Sequence, residues 1–369
     1  MRRISFFMLL LLLFPVFSAG SEEVKMFEAP KQIVITFTGD CTIGCDPRER
    51  GLATGFEAYI EKYGYEYPFA KVKDIFEKDD LTVINLEGTF YNHDANMAAD
   101  KHYHFRGPTD YARILPLASI EAASLGNNHI LDYGKTGQDS TIEALEGQQV
   151  AWFGSNAYMN GAYIYEKDGV KIGFVSMYVS DWVQSFSFLN ESLENLRNQH
   201  CSLIIGCVHG GVEYDVRYDK GGGQERLADA MIKNGADIIV CNHPHTVQGI
   251  RVQDGRTTLW SLGNFCFGGN SKINLNKMNE PCYPCYIAQF TFSFDEAGKY
   301  LGHQLNIIPC HVSGSKEFND YQPHPVTGAE ADAVISAIKR DLTPRKLTIR
   351  PYVEGVGALQ DFVPAPAAR

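Results

Sequence analysis

The chain has 369 residues, with 44 acidic against 33 basic side chains, 11 histidines and 9 cysteines. A composition of 44% hydrophobic and 21% charged residues is that of a globular protein, which excludes a disordered or collagen-like chain. The formal charge of −11 excludes a protein that coats nucleic acid, because phosphate binding needs concentrated Lys and Arg, so no nucleic-acid partner is expected.

The first twenty residues read apart from the fold. Arg2 and Arg3 precede an apolar run from Phe6 to Phe17, and Ser18-Ala19-Gly20 offers small residues for cleavage before Ser21. This is the shape of a secretory signal peptide. The run is shorter than the roughly 20 apolar residues of a spanning helix, which ranks an uncleaved membrane anchor second. An exported protein, extracellular or in the cell envelope, is therefore expected. Residues 1–20 are the signal and 21–30 a linker, and loss of Arg2 and Arg3 takes the mature charge to −13.

Alternating strand and helix signals follow. Ile33–Phe37 is a β-branched run ending at Gly39-Asp40, which predicts a buried strand feeding a loop. Phe69, Val72, Ile75 and Phe76 are spaced for a helix over 69–78. Leu81–Leu86 predicts a second strand, ending at Glu87-Gly88, and Ile120–Leu125 a third, ending at Gly126-Asn127-Asn128-His129. A helix is expected over 138–149 and a short strand over 150–153. Lys171–Met177 and Leu203–Val208 predict further strands, the second running into His209. A helix over 223–234 leads to a strand at Asp237–Cys241 and then to Asn242-His243-Pro244-His245.

Beyond that point the pattern changes to hairpins. Two strands flank the Asp254-Gly255 turn, and two more, Tyr286–Phe294 and Tyr300–Ile308, flank Gly298. The order fits one α/β domain over residues 31–313. A C-terminal extension, 314–369, is expected to hold one helix near 329–342 and to fray from Val363 onward. Outside the cytoplasm paired cysteines persist as disulfides, so Cys282-Tyr-Pro-Cys285 reads as a local disulfide or two idle thiols. Cys207 and Cys241 end apolar runs and read as buried small hydrophobes.

Asp40, Glu87, Asn128, His129, His209, His243 and His245 each fall just past an apolar strand run. In open α/β sheets the loops beyond the strand carboxyl ends meet in one crevice. Taken singly, an Asp there caps a turn or helix and a lone His makes a structural hydrogen bond. Taken together, carboxylate, amide and imidazole groups in one crevice make a divalent-metal site. An extended His-Pro-His step would send both rings to one side of the chain.

Gly39-Asp40, Asn85-Leu86-Glu87, Asn127-Asn128-His129 with Asp132-Tyr133-Gly134, His209-Gly210-Gly211-Val212-Glu213-Tyr214, His243-Pro244-His245 and Ser261-Leu262-Gly263-Asn264-Phe265 stand in order between residues 33 and 267. Together they resemble the motif series of the CapA-type poly-γ-glutamate biosynthesis proteins. That family is similar in fold to the calcineurin-like metallophosphoesterases, which implies a four-layer α/β/β/α sandwich. The resemblance places Asp40 as the first-motif carboxylate, Glu87 at the metal bridge, and Asn128, His209, His243 and His245 as further metal ligands. His129 then corresponds to the proton donor or charge stabiliser.

Two departures stand out: Thr42 occupies the position of a first-motif histidine, and Glu87 that of a bridging aspartate. The resemblance therefore implies one tight metal, Mn, Zn or Fe, and a weak or absent second. One site would keep Asp40, Glu87 and His245, the other Glu87, Asn128, His209 and His243.

The substrate or product implied is an anionic polymer, and Arg106 and Lys101 are candidate substrate cations. Arg217 and Lys220 read as solvated charge, His102 and His104 as peripheral, and Glu213 and Tyr214 as groups that orient a ligand. Three readings follow: a metal-dependent hydrolase or synthesis factor acting on poly-γ-glutamate, an extracellular metal-dependent phosphoesterase, and a non-catalytic subunit serving membrane-bound polymer-synthesis proteins.

Overall fold

The computed structural model describes residues 30–154, 161–344 and 347–367, with the side chains of 183 and 184 also outside the description. The signal expected over 1–20 and the expected linker up to residue 29 lie outside the described residues. Among the described residues no helix is long and apolar enough to cross a membrane.

Two sheets face each other. The larger runs in the order His324–Pro325, Tyr300–His311, Pro284–Phe294, Lys31–Cys41, Leu81–Leu86, Ala122–Ser124, Ala151–Phe153. The smaller runs Ile250–Gln253, Arg256–Leu259, Ile238–Asn242, Leu203–His209, Val170–Tyr178, Tyr163–Lys167. In the larger sheet the strands from Lys31–Cys41 to Ala151–Phe153 are parallel and those from Lys31–Cys41 to His324–Pro325 antiparallel, while the smaller sheet has a parallel centre flanked by two antiparallel hairpins.

The layers follow from the two-residue period of a strand. In Leu81–Leu86, Leu81 and Val83 enter the core between the sheets, while Ile84 and Leu86 pack beneath the helices on the outer face. Leu203, Ile205 and Cys207 likewise meet the inter-sheet core, whereas Ile204 and Val208 pack under the helices Val179–Asn198 and Gly223–Lys233. Both faces of each strand are covered, so these strands read as unbroken apolar runs. The result is the expected α/β/β/α sandwich. Each fully buried Ile, Leu, Val or Phe contributes about 1.5–3 kcal/mol.

Three local expectations change. The helix expected over 69–78 is a 3-10 turn, Tyr67–Phe69, then a single helical turn, Lys73–Phe76. Pro68 starts the first and Val72, with φ −123°, separates the two, yet Phe69, Val72 and Phe76 all still face the core. The periodicity identified the buried face and not its continuity. The helices Phe56–Tyr63 and Val179–Asn198, and the edge strand Tyr163–Lys167, are additional.

The third change concerns the C-terminus. Ala358–Leu359 and Val363–Pro364 both pair with Tyr300–His311, and Val363 is buried. The helix Gly328–Lys339 sends Val334, Ile335 and Ile338 into the inter-sheet core. Residues 314–367 thus complete the larger sheet, and the predicted fraying from Val363 does not occur among the described residues. A twelve-residue strand with one bare edge would expose a row of unpaired N–H and C=O groups, and this segment covers them.

All nine cysteines are buried, and Cys282 and Cys285 carry free thiols, not the local disulfide. Burial pushes the Cys207 and Cys282 thiols up to about 12, the behaviour of small hydrophobes.

Candidate metal centre

Parallel pairing brings the polar strand ends together. Asp40 lies opposite Asn85 at the end of the larger sheet, and His209 opposite Asn242 at the end of the smaller one. Asp40 also bridges to Asn264, with its N–H donating to the Gly263 carbonyl at 3.0 Å. Gly39 is required for that approach, because a Cβ there would sit 1.9 Å from the Gly263 oxygen.

Glu87 stands at the centre. Its backbone N–H donates to the Cys41 carbonyl at 2.8 Å, which fixes the side chain in a fully buried position. Neither carboxylate oxygen has a hydrogen-bond partner among the described residues. Burial, and then the nearby charge of Asp40, hold its pKa well above the ordinary carboxylate range. His209 Nε2 lies 3.5 Å from Glu87 Oε1, and His245 Nε2 lies 4.0 Å from the same oxygen.

The three histidines are electrostatically distinct. Burial, and then neighbouring His243, push His209 well below its usual value. Burial takes His243 down to about 3. His245 is raised instead: burial opposes its charge, but the hydrogen bond and charge of Asp40 prevail. His245 Nδ1 is 2.8 Å from Asn264 Oδ1 and 3.2 Å from Asp40 Oδ2. His209 Nε2 is 2.8 Å from Asn128 Oδ1 and 3.1 Å from His243 Nδ1, while Asn85 Nδ2 donates to Asp40 Oδ1 at 2.8 Å.

The His-Pro-His step works differently from the extended segment expected. His243 has φ 101° and His245 φ 60°, both left-handed. The two rings do converge, with centroids 5.9 Å apart, but through backbone strain and not strand alternation. Such strain costs about 1–3 kcal/mol per residue and clusters at functional sites. The His243 N–H, donating to Asp40 Oδ2 at 3.3 Å, helps hold it.

Ligand atoms within 4.8 Å of one another form two groups, Glu87-His243-His245 and Asp40-Glu87-His209. They share Glu87, but they divide the histidines differently from the expected sets. The residues fit a divalent metal. A fully buried carboxylate with two orphaned oxygens costs several kcal/mol, and a cation between it and neutral imidazoles removes that cost. Thr42, in the place of a first-motif histidine, is buried with its hydroxyl unpartnered among the described residues.

His129 borders the centre, with Nε2 3.9 Å from Glu87 Oε1. Its Nδ1 meets Asp132 Oδ2 at 2.7 Å, its N–H donates to Asn127 Oδ1 at 3.0 Å, and Phe105 packs on the ring at 4.3 Å. Burial lowers its pKa, with the Asp132 hydrogen bond opposing. The Asp132 contact leaves Nε2 turned toward Glu87 as the nitrogen that can hold or release a proton.

The two proposed substrate cations are already engaged. Arg106 is buried, donating to the Tyr91 carbonyl at 2.6 Å and to Asp94 Oδ1 at 3.0 Å. Lys101 donates to Asp132 Oδ1 at 2.6 Å and to the Asn128 carbonyl. A buried or half-buried charge must be paired, and these pairings set Lys101 against the Asn128-His129 loop and Arg106 against the Tyr91–Asp94 segment. His104 faces the Ala98 carbonyl at 2.6 Å and His102 lies beside Arg48, so neither joins the centre. Tyr214 packs 5.8 Å from the His245 ring, while Glu213 is exposed.

Asn85, Asp132 and Asn264 are the orienting groups that residue-by-residue reading assigned no role. Their signal was present: a polar residue inside an apolar strand run, as Asn85 is in Leu81–Leu86, needs a buried partner.

A metal-type centre at the carboxyl ends of two facing sheets defines the class, and the chain belongs to the bacterial capsule synthesis protein family PGA_cap, which it matches over residues 34–269. It is similar to the capsule biosynthesis protein CapA of Bacillus anthracis, 27% identical over 258 residues, covering 64% of this chain and 60% of that protein. It is also similar to the PGA biosynthesis protein CapA of Bacillus subtilis (strain 168), 26% identical over 279 residues and covering 69% of each. Among solved structures, the purple acid phosphatase PPD1 of yellow lupin seeds matches 79% of this chain and 53% of its own at 12% identity, with a TM-score of 0.38.

Proposed function

We propose that the chain is an exported CapA-like protein that uses a divalent metal to act on poly-γ-glutamate or a similar anionic envelope polymer, in its synthesis, retention or cleavage. The observation that carries this reading is Glu87, a buried carboxylate with no hydrogen bond to either oxygen among the described residues, set among Asp40, His209, His243 and His245. The relatives' names support the polymer class, and membrane-bound polymer-synthesis proteins are the partners this reading implies.

Asp40, Glu87, Asn128, His209, His243 and His245 hold one tight metal, Mn, Zn or Fe, and a weak or absent second. Thr42 supplies no imidazole to that second position. A divalent ion so held supplies Lewis-acid activation of water near neutral pH. The chain's own contribution is the proton. His129 Nε2 delivers it to the leaving group, while Asp132 fixes the tautomer through Nδ1, a step typically worth about 10²–10⁴-fold. Lys101 holds Asp132 and the Asn128 carbonyl in place.

The test is metal content of the purified mature protein, with turnover of γ-glutamyl amides and phosphodiesters by wild type and His243→Ala. One tightly bound metal equivalent and amide turnover lost in the variant are expected. Absence of bound metal, with no turnover on adding Mn, Zn or Fe, refutes the reading. Metal-dependent hydrolysis of a bis-aryl phosphate alone would point to an extracellular phosphoesterase. Polymer binding that survives the substitution without any turnover would point to a binding subunit.

A further inference from the structure

A polyanion approaches a chain of charge −11 against its long-range field. One cleft has the opposite character. Arg217 and Lys220, from the loop that follows His209, and Lys339 and Arg340, from the end of the helix Gly328–Lys339, line a cavity of about 580 Å³. The single carboxylate in that wall, Asp341, accepts the Tyr218 N–H at 2.8 Å and stands 4.0 Å from Arg217 Nη1. The side chains of Lys220 and Lys339 make no ion pair or hydrogen bond among the described residues, and both are exposed.

Cations in a last helical turn offset the negative end of the helix dipole. That accounts for Lys339 and Arg340, the latter also 4.0 Å from Glu280 Oε2, and Asp341 partners Arg217, which leaves Lys220, arriving on a separate loop, unexplained. The loop is tied to the metal-type centre. Tyr214 N–H donates to the Pro244 carbonyl at 2.8 Å, and Gln248 Nε2 donates to the carbonyls of Asp215 at 2.9 Å and Arg217 at 2.8 Å. Arg340 also lines a neighbouring cavity of about 500 Å³, whose wall includes Thr246, the residue after His245.

Four cations around so large a space exceed what one small anion can engage; they match several carboxylates spaced along a chain. We propose that Arg217, Lys220, Lys339 and Arg340 form a polycarboxylate-binding cleft, distinct from the metal centre, that captures a stretch of the anionic polymer. This rests on the polymer reading above.

The experiment is fluorescence anisotropy of a labelled γ-linked glutamate oligomer with the full chain, after chelation and again with Mn. Wild type is compared with Lys220→Gln/Lys339→Gln. Wild type is expected to bind the oligomer without metal. The double variant, unfolding at the same temperature, should bind about tenfold more weakly and with a shallower salt dependence, as expected for two exposed charge contacts. Unchanged affinity in the double variant overturns the cleft, and so does oligomer binding that requires Mn, although the metal reading would then stand. Lysine-dependent binding in a protein that shows no metal uptake supports the cleft and removes the metal reading instead. Inorganic phosphate that matches the oligomer's affinity overturns the polycarboxylate assignment in favour of single anions.

Discussion

Glu87→Gln should leave the metal-free protein nearly as stable as wild type while abolishing its stabilisation by metal. Without metal, wild type keeps a carboxyl group whose two oxygens find no partner among the described residues. The amide leaves the same kind of orphan, each costing about 1–3 kcal/mol, so the two metal-free proteins should differ by no more than about 1 kcal/mol. With free metal at about 100 times Kd, binding to the native state alone adds about 2.7 kcal/mol. For a chain of this size that raises Tm by roughly 5 °C, at about 2 °C per kcal/mol.

The assay is calorimetric or fluorescence-detected unfolding after chelation, then across graded Mn. Mn is the better probe than Zn, because the nine cysteines of the unfolded chain would bind Zn and mask the shift. A Tm increase of equal size in wild type and Glu87→Gln would refute the argument that this carboxylate holds the ion.

His303 is fully buried between Thr257 Oγ1 at 2.7 Å and the Tyr300 hydroxyl at 2.5 Å, and burial takes its pKa to about 3. Because the unfolded chain binds the proton first, near pH 6.5, this residue's contribution is complete above that pH and lost as pH falls toward 3. By pH 5 the loss reaches about 2 kcal/mol, so wild type should lose that much more than His303→Gln between pH 7 and 5 in urea titrations. Parallel curves would contradict it. Gly39→Ala forces a Cβ against the Gly263 oxygen and should destabilise by about 3 kcal/mol or more, measured as a lower urea midpoint. Asp132→Asn should reduce turnover of a γ-glutamyl amide about 10²-fold or more with bound metal content unchanged, because it frees the His129 tautomer.

Much of the framework was legible along the chain. Unbroken apolar runs such as Leu81–Leu86 and Leu203–Val208 mark strands buried on both faces, and a polar residue immediately after such a run marks the sheet end where loops meet. Asp40, Glu87, His209, His243 and His245 were recognisable on that basis before any contact between them was known. The helix expected over 69–78 shows the limit of such patterns: spacing reports which side is buried, while Pro68 and the backbone at Val72 decide whether the helix continues.

What the amino-acid sequence determined by itself was identity and polarity: which groups carry the chemistry, and at which end of which strand. Tertiary structure alone decided their company. It took Lys101 and Arg106 for Asp132 and Asp94, pairings that span 31 and 12 residues, and gathered four other cations, two of them 4.0 Å from a carboxylate, around a cleft. It turned His243 and His245 inward through left-handed backbone and drew the C-terminal strands onto the bare edge of the larger sheet. The physical reason is that local pattern follows from backbone geometry and burial within one element. Partner choice depends on which buried charges and unpaired peptide groups packing leaves to be satisfied, and those are known only when distant segments meet.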